Sequence, residues 1–161
     1  MSLNQVLIFL NGEEQSILSK DSNKIILAKK KLESINQDHT LLQTDFECVE
    51  DLIKAEAIIR NQISKIDEIG IVYKDVDLNM ISYQYDYNHM KQNYHVLMNV
   101  IYFINTLIPL FNKKISFILS FEKDNHYKIH LNNFKVSLNN YLNSLKIDLV
   151  KSSNISIKRL D

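Results

Sequence analysis

Two long stretches in the first half of the chain have apolar residues at helical spacing. Between residues 13 and 35 the apolar positions are Ile17, Leu18, Ile25, Ala28, Leu32 and Ile35, with lysines and acids between them. Between residues 41 and 66 they are Leu42, Phe46, Val49, Ile53, Ile59, Ile63 and Ile66. A repeat of three and four residues indicates one face of an amphipathic helix. The pattern predicts two long antiparallel helices joined by the polar segment NQDHT, residues 36–40.

The predicted helical hairpin has little else against which to bury its two apolar stripes. Pairing with a second copy into a four-helix bundle is the natural solution for such a hairpin. We therefore expect a homodimer. Gly70 follows the second stripe, as glycine commonly follows the last residue of a helix, and we expect residues 1–69 to form a dimerisation domain.

After Gly70 the pattern changes to short alternating runs interrupted by helical ones. IGIVYK and MISYQYDY are typical of strands, and residues 88–108 return to helical spacing until Pro109. KISFILSF and YKIHL indicate an antiparallel hairpin, residues 136–145 a shorter helix, and KIDLV and ISIKR a last strand pair. The order ββαββαββ predicts an α+β fold for residues 70–161, with helices on one face of a mixed or antiparallel sheet.

Composition excludes few function classes. Nineteen basic residues balance nineteen acidic ones, so net charge indicates neither nucleic acid nor a membrane surface as a partner. Apolar runs are too short or too interrupted to predict a membrane span. Cys48 is the only cysteine, which rules out a disulfide within the chain and favours a reducing compartment such as the cytoplasm.

A dimerising hairpin followed by a small α/β sandwich resembles the layout of sensor histidine kinases. The segment YHVLMNVIYFINTLIPLFNKKISFILSFEKDNHYKIHL, residues 94–131, resembles the helix, proline and strand pair in the C-terminal domain of bacterial histidine phosphotransferases of the ChpT type. At the level of pattern the resemblance covers residues 77–160. It implies a degenerate kinase-ATPase-like sandwich and a two-component phosphorelay protein that docks the receiver domain of a response regulator.

ATP-binding kinases of that fold carry two asparagines four positions apart and glycine-rich boxes around the nucleotide. Asn99 matches the first asparagine, but Phe103 stands where the second is needed. The only glycines, Gly12 and Gly70, precede the boxes, and backbone that approaches phosphate closely needs glycine. We therefore expect neither ATP binding nor kinase activity, and no other cofactor.

The resemblance also implies a phospho-accepting histidine in the first hairpin helix, where residues 13–35 contain none. His39, preceded by Asp38, is the remaining candidate for the phosphate carrier, with Asp38 to orient the ring. Its alternative interpretation is a polar loop residue. If no phosphate is transferred, a non-catalytic dimeric adaptor or an unrelated α+β assembly protein is the alternative function.

Other candidate residues have simpler structural interpretations. His126 and His130, four apart, form a conceivable metal pair, but no cysteine or carboxylate cluster accompanies them, so we expect no metal site. Cys48 is expected to pack as a small apolar residue. The tyrosines between Tyr83 and Tyr94 lack the basic field of a nucleic-acid surface and are expected to pack in a core or interface.

Overall fold

The computed structural model describes residues 3–11, 22–29, 39–73, 87–121 and 129–160. Six strands and three α-helices lie in these ranges, together with a short 3-10 turn at Ile108–Leu110 that contains Pro109. In chain order they are β1 (Leu3–Asn11), β2 (Ser22–Ala28), β3 (Thr40–Gln43), α1 (Val49–Gln62), β4 (Ile66–Tyr73), α2 (Tyr87–Leu107), β5 (Phe111–Phe121), α3 (Ile129–Asp148) and β6 (Asn154–Arg159).

All six strands belong to one parallel sheet in the order β3-β2-β1-β4-β5-β6. Parallel neighbours need long crossover connections, and α1, α2 and α3 provide those from β3 to β4, β4 to β5 and β5 to β6. Each of these three connections moves across the sheet in the same direction, from the β3 side toward β6. Because such crossovers are right-handed, all three helices lie on one face of the sheet. The order reverses between β1 and β4, as in a doubly wound α/β fold.

Both faces of the sheet are buried. On the face that α1, α2 and α3 cover, Val6, Ile8, Ile69, Ile71 and Phe117 pack into the main core. On the second face, Leu7, Phe9, Ile26, Ala28 and Val72 form a separate buried cluster. Strands buried on both faces are near-continuous apolar runs and show no alternation.

The predicted helical hairpin is wrong. β2 and β3 lie where helices over residues 13–35 and 41–66 were predicted, and only α1 is helical in the second of these stretches. The apolar run KIILA at 24–28 fits a buried parallel strand as well as a helical stripe, because a short apolar run has no period of its own. Without the hairpin, the structure offers no basis for the predicted four-helix bundle.

The predicted α+β sandwich with antiparallel strand pairs is also wrong. In the predicted strand YKIHL, residues 129–131 belong to α3, and residues 127 and 128 lie outside the described ranges. Residues 80–86 of the predicted strand MISYQYDY also lie outside them. The predicted strand KIDLV is the end of α3 and a turn. The helix before Pro109, the strand after it and the final strand are confirmed as α2, β5 and β6. β1 and β2 pair in the same sheet as β4, β5 and β6.

Phe103 tests the packing of α2 against the sheet. Its ring is fully buried and meets Phe46 edge-on, with 5.7 Å between the ring centroids. Phe103→Ala is expected to lower the free energy of unfolding by about 3–5 kcal/mol because it leaves a cavity. Ile53→Ala, at a position with 52% exposure, is the control and should change it by less than ~1 kcal/mol. Urea denaturation measures both, and equal losses would contradict the described core.

Candidate functional site

The reversal of strand order defines a crevice at the carboxyl ends of β1 and β4. Ligands of open α/β sheets bind at this kind of position, because the connections on either side diverge to opposite faces. Asn11 pairs with Tyr73 where the two strands end, and the register slips by one residue between Phe9 and Asn11. Such a bulge bends the end of the strand.

Tyr73, the last residue of β4, joins the crevice to two helices. Its hydroxyl donates a hydrogen bond to Oδ1 of Asn93 on α2, at 3.3 Å. Its ring centroid lies 4.7 Å from that of Phe134 on α3. The end of β4 is therefore held between α2 and α3, and one wall of the crevice is aromatic.

Lys135 is a buried cation at the carboxyl ends of the strands, as the crevice is. Its exposed fraction is 7%, and its Nζ atom lies 5.8 Å from the ring centroid of Phe121, the last residue of β5. Lysine is almost never fully buried without partners, since a charge loses hydration there, and the face of the Phe121 ring is one of the contacts that offset this loss. Lys135 is the strongest candidate for a functional side chain among the described residues.

Asn99 fixes the segment that leaves β3. Its Nδ2 atom donates a buried hydrogen bond to the carbonyl oxygen of Phe46, at 2.5 Å. Asp51 accepts a hydrogen bond from the backbone N–H of Asp45 at 2.9 Å, and Asp45 accepts one from the N–H of Glu47 at 2.9 Å. These bonds place the carboxylates of residues 45 and 47 at the carboxyl edge, ahead of α1.

A charged rim lies at the carboxyl ends of β2 and β3. The Nζ atom of Lys29 lies 3.9 Å from Asp45 and 3.8 Å from Glu47. All three side chains are partly or largely exposed, so these ion pairs contribute little to stability. The ammonium of Lys29 can therefore exchange these partners for an anionic ligand at small cost.

His39 lies at the amino ends of the strands, away from the crevice. It directly precedes β3, and therefore stands at the amino end of a strand, away from Asn11 and Tyr73. Asp38 lies outside the described residues. The structure thus does not bring His39 to the crevice. Sequence reasoning missed Lys135, although its place among Leu131, Phe134, Leu138 and Leu142 on an otherwise apolar helix face was a usable signal.

The described parts of the chain contain no group of three or more histidine, cysteine, aspartate or glutamate side chains that could hold a metal ion. Of the helices in those ranges, none is long and apolar enough to cross a bilayer. Cys48 is partly exposed and lies 3.4 Å from the carboxylate of Glu50, to which its thiol donates. Its partial burial agrees with the expected packing as a small side chain.

No protein-family model matches the sequence, and no curated protein matches it. Solved structures do match. A short-chain dehydrogenase family protein from Francisella tularensis subsp. tularensis SCHU S4 matches with a TM-score of 0.74 at 16% identity, over 94% of this chain and 66% of its own. 3-Ketoacyl-(acyl-carrier-protein) reductase from Brucella melitensis, complexed with NADH, matches with a TM-score of 0.73 at 12% identity, over 99% of this chain and 75% of its own.

L-Sorbose reductase from Gluconobacter frateurii, complexed with NADPH and L-sorbose, matches with a TM-score of 0.74 at 12% identity. That match covers 96% of this chain and 67% of the reductase. The chain has the fold of the short-chain dehydrogenases/reductases. It spans between 66% and 75% of the length of these three proteins.

The resemblance to histidine phosphotransferases is therefore wrong, and so is the phosphorelay function that it implied. A parallel doubly wound sheet replaces the hairpin and sandwich on which docking of a receiver domain depended. The roles predicted for His39 and Asp38 rested on that resemblance and stay a prediction without its support. The segment at 94–131 misled because an apolar helix, a proline and a buried strand also follow one another in a βαβ unit, here as α2, Pro109 and β5.

Proposed function

We propose that this chain is an oxidoreductase-type domain that binds a nicotinamide dinucleotide, NADP(H), in the crevice at the carboxyl ends of β1 and β4. The observation that carries the proposal is the reversal of strand order at β1 and β4 with the buried Lys135 at the same edge. When bound, the dinucleotide would supply a hydride for the reduction of a carbonyl compound. Two of the similar reductases hold NADH or NADPH.

The side chains around the crevice suit an elongated anionic ligand. Lys135 offers a positive charge in surroundings where water is excluded, which strengthens its attraction to phosphate or to a polarised oxygen. Tyr73 and Asn93 add a hydroxyl and an amide that can orient a ribose or a substrate. Their hydrogen bond to each other holds both groups in place before a ligand arrives.

The residues after β2 favour the phosphorylated dinucleotide. In dinucleotide-binding folds an acidic residue near this point binds the ribose 2′-hydroxyl of NAD, whereas a basic one accommodates the 2′-phosphate of NADP. Here Lys29, Lys30 and Lys31 follow Ala28 directly. We therefore infer a preference for NADP(H) over NAD(H).

Lys135→Met tests the role of the buried ammonium, since methionine keeps the length of the side chain and removes the charge. We expect wild-type protein to bind NADPH more tightly than NADH, and the variant to lose about tenfold in NADPH affinity. A titration followed by the fluorescence of the reduced nicotinamide measures the affinities for NADPH and NADH. The decrease in NADPH absorbance in the presence of a panel of carbonyl compounds measures turnover.

Lys146→Met is the matched control, because Lys146 lies on the same helix with an exposed side chain. Its NADPH affinity should equal that of wild type. An unchanged affinity in Lys135→Met, or an equal loss in both variants, would exclude Lys135 from the site.

A second candidate function is ligand binding without hydride transfer, and the segment after β1 favours it. Dinucleotide-binding folds use G-x-G-x-x-G here, because glycine allows the backbone to approach the pyrophosphate. In GEEQSI only Gly12 is a glycine, and Glu14 and Ile17 stand at the other two positions. Glu13 and Glu14 would also repel the pyrophosphate. The scarcity of glycine from which we expected no ATP binding bears on the dinucleotide in the same way.

The double variant Glu13→Gln, Glu14→Gln separates the two functions. Removing both charges is expected to strengthen NADPH binding by about tenfold, because like charges near the pyrophosphate are lost. If wild type binds NADPH, gains affinity in the variant and oxidises NADPH with at least one carbonyl compound, the oxidoreductase proposal stands. If wild type shows no binding at ~1 mM NADPH and only the variant binds, the second function replaces it.

We also propose that two copies associate through an apolar face of α2. This α2 face consists of Tyr87, Met90, Tyr94, Met98 and Tyr102, which recur every three or four residues and are between 42% and 74% exposed. α2 contains one charged residue, Lys91, in 21 positions, whereas α1 contains five in 14. The core of a protein interface is typically rich in tyrosine and methionine and poor in charged residues, as this face is.

A second copy fits this face by area and charge. The neighbouring α3 exposes Val136 and Ile147, and at about 100 Å² for each large side chain the combined surface is roughly 700 Å² per copy. Stable pairs bury about 800 Å² per partner. A nearly uncharged surface complements itself across a two-fold axis without like-charge repulsion. A cytoplasmic location, suggested by the single cysteine, is part of the same proposal.

Met98→Glu is expected to convert a wild-type dimer into a monomer, because each copy would bring a carboxylate into an apolar contact. Light scattering after size-exclusion chromatography measures the mass. Ile53→Glu, at a 52% exposed position of α1, is the control and should stay dimeric. A monomeric wild type at ~100 μM, or a dimeric Met98→Glu, would contradict the proposal.

A further inference from the structure

A second concave site lies at the amino ends of β1, β4 and β5, on the edge opposite the crevice. It is a cavity of about 420 Å³ beside Leu3, lined by Asp67 and Glu68 of β4 and by Asn112, Lys113, Lys114 and Ser116 of β5. This volume is within the range of small-molecule sites. Nothing in the proposed dinucleotide site uses these residues.

An irregularity between β4 and β5 opens the cavity. Ile66 pairs with Phe111 and Glu68 pairs with Ser116, so four residues of β5 lie opposite the single residue Asp67. Bulges of this kind redirect side chains and are common beside binding sites. Here the extra residues carry the two lysines to the rim of the cavity.

Asp67 holds the irregular segment in a fixed shape. Its Oδ1 atom accepts a hydrogen bond from Nδ2 of Asn112 at 2.7 Å, and its Oδ2 atom accepts one from the backbone N–H of Asn4 at 2.9 Å. Oδ1 of Asn112 accepts a hydrogen bond from the N–H of Lys113 at 2.9 Å. The cavity is therefore preformed, and both oxygens of Asp67 are already engaged.

Glu68 provides a half-buried carboxylate at the cavity. Gln5, its neighbour on β1, donates a side-chain hydrogen bond to Oε1, and within the described ranges that is the only hydrogen bond the carboxylate accepts. Burial raises the pKa of Glu68, and nearby Asp67 acts in the same direction, whereas the bond from Gln5 and the charges of Lys158 and Lys24 act against it. Lys158 and Lys24 are near enough to act on the pKa of Glu68, but no described residue forms an ion pair with the carboxylate.

Lys113 and Lys114 provide the opposite charge. Both side chains are exposed, and neither forms an ion pair within the part of the chain that the structure describes. The cavity therefore has an acidic wall on β4 and a basic wall on β5.

We propose that this cavity binds a small zwitterion of amino-acid size, with its ammonium group on Glu68 and its anionic group on Lys113 and Lys114. A ligand with two opposite charges complements both walls, and its ammonium would form with Glu68 the ion pair that no described residue makes. A simple anion would meet repulsion from Glu68, and a simple cation would meet repulsion from the lysines. Ser116, whose hydroxyl is hydrogen-bonded to that of Ser156 at 2.9 Å, adds a polar group at the base.

The test is a titration of the full chain, labelled with ¹⁵N and followed by amide chemical shifts. The probes are glycine, 4-aminobutanoate and 6-aminohexanoate, with butanoate and butylammonium as controls that each lack one charge. We expect at least one zwitterion to shift the amides of residues 67, 68 and 112–116 in a saturable way. Its affinity should be about tenfold higher than that of either control.

Two variants locate the contacts. Glu68→Gln and the double variant Lys113→Gln, Lys114→Gln should each weaken zwitterion binding about tenfold, and Lys54→Gln on α1 should leave it unchanged. The amide spectrum of each variant reports whether it is folded. Glu68→Gln keeps the size of the side chain and the two lysines are exposed, so both variants should fold.

No saturable shifts with any zwitterion, shifts elsewhere on the protein, or equal binding of butanoate would each overturn the proposal. NADPH titrations of the same variants keep the two sites distinguishable. Glu68→Gln should retain whatever NADPH affinity wild type has, because Glu68 lies at the other edge of the sheet.

Discussion

The parallel pairing of β1 with β4 is the constraint on which the rest of the structure depends. Every hydrogen bond between these neighbours joins residues about sixty positions apart, such as Gln5 with Glu68 and Ile8 with Ile71. Pairing them in parallel requires a crossover between them, which α1 provides on one face of the sheet. Because both faces carry buried apolar clusters, the two ends of the strands are the places open to a polar ligand. The dinucleotide crevice and the zwitterion cavity lie at opposite ends of this one strand pair.

Sequence reasoning identified the second half of the fold better than the first. α2, β5 and β6 were predicted close to their observed bounds. Pro109 marks the boundary between α2 and β5, and the apolar stripe of α2 before it is long. β1 and β2 were missed, since VLIFL and KIILA are buried on both faces and therefore lack the alternation by which a half-buried strand is recognised. A run of this length carries no information on whether its neighbouring strands are parallel, so the parallel strand order of the sheet could not be predicted from it.

The candidate site was harder to predict than the fold, for a physical reason. Lys135 and Tyr73 are separated by sixty-two positions, and only the crossover through α2 and β5 brings Phe121 and Phe134 between them. A histidine beside an aspartate is easy to notice in sequence, whereas Lys135 lay outside the helix predicted for residues 136–145, so its place on an apolar helix face was not recognised. Burial, which the sequence does not report, is what distinguishes Lys135 from Lys146.

The long separation of β1 from β4 also has a consequence for biosynthesis. β1 is made before the other described strands, and β2 can pair with one of its sides soon afterwards. Its other edge stays unpaired until the chain has been made as far as Tyr73 and α1 has crossed the sheet. During that interval an apolar strand with open backbone groups is a template for association with other chains. The order of synthesis thus makes prompt closure of the sheet around residue 73 the step that protects the nascent protein from aggregation.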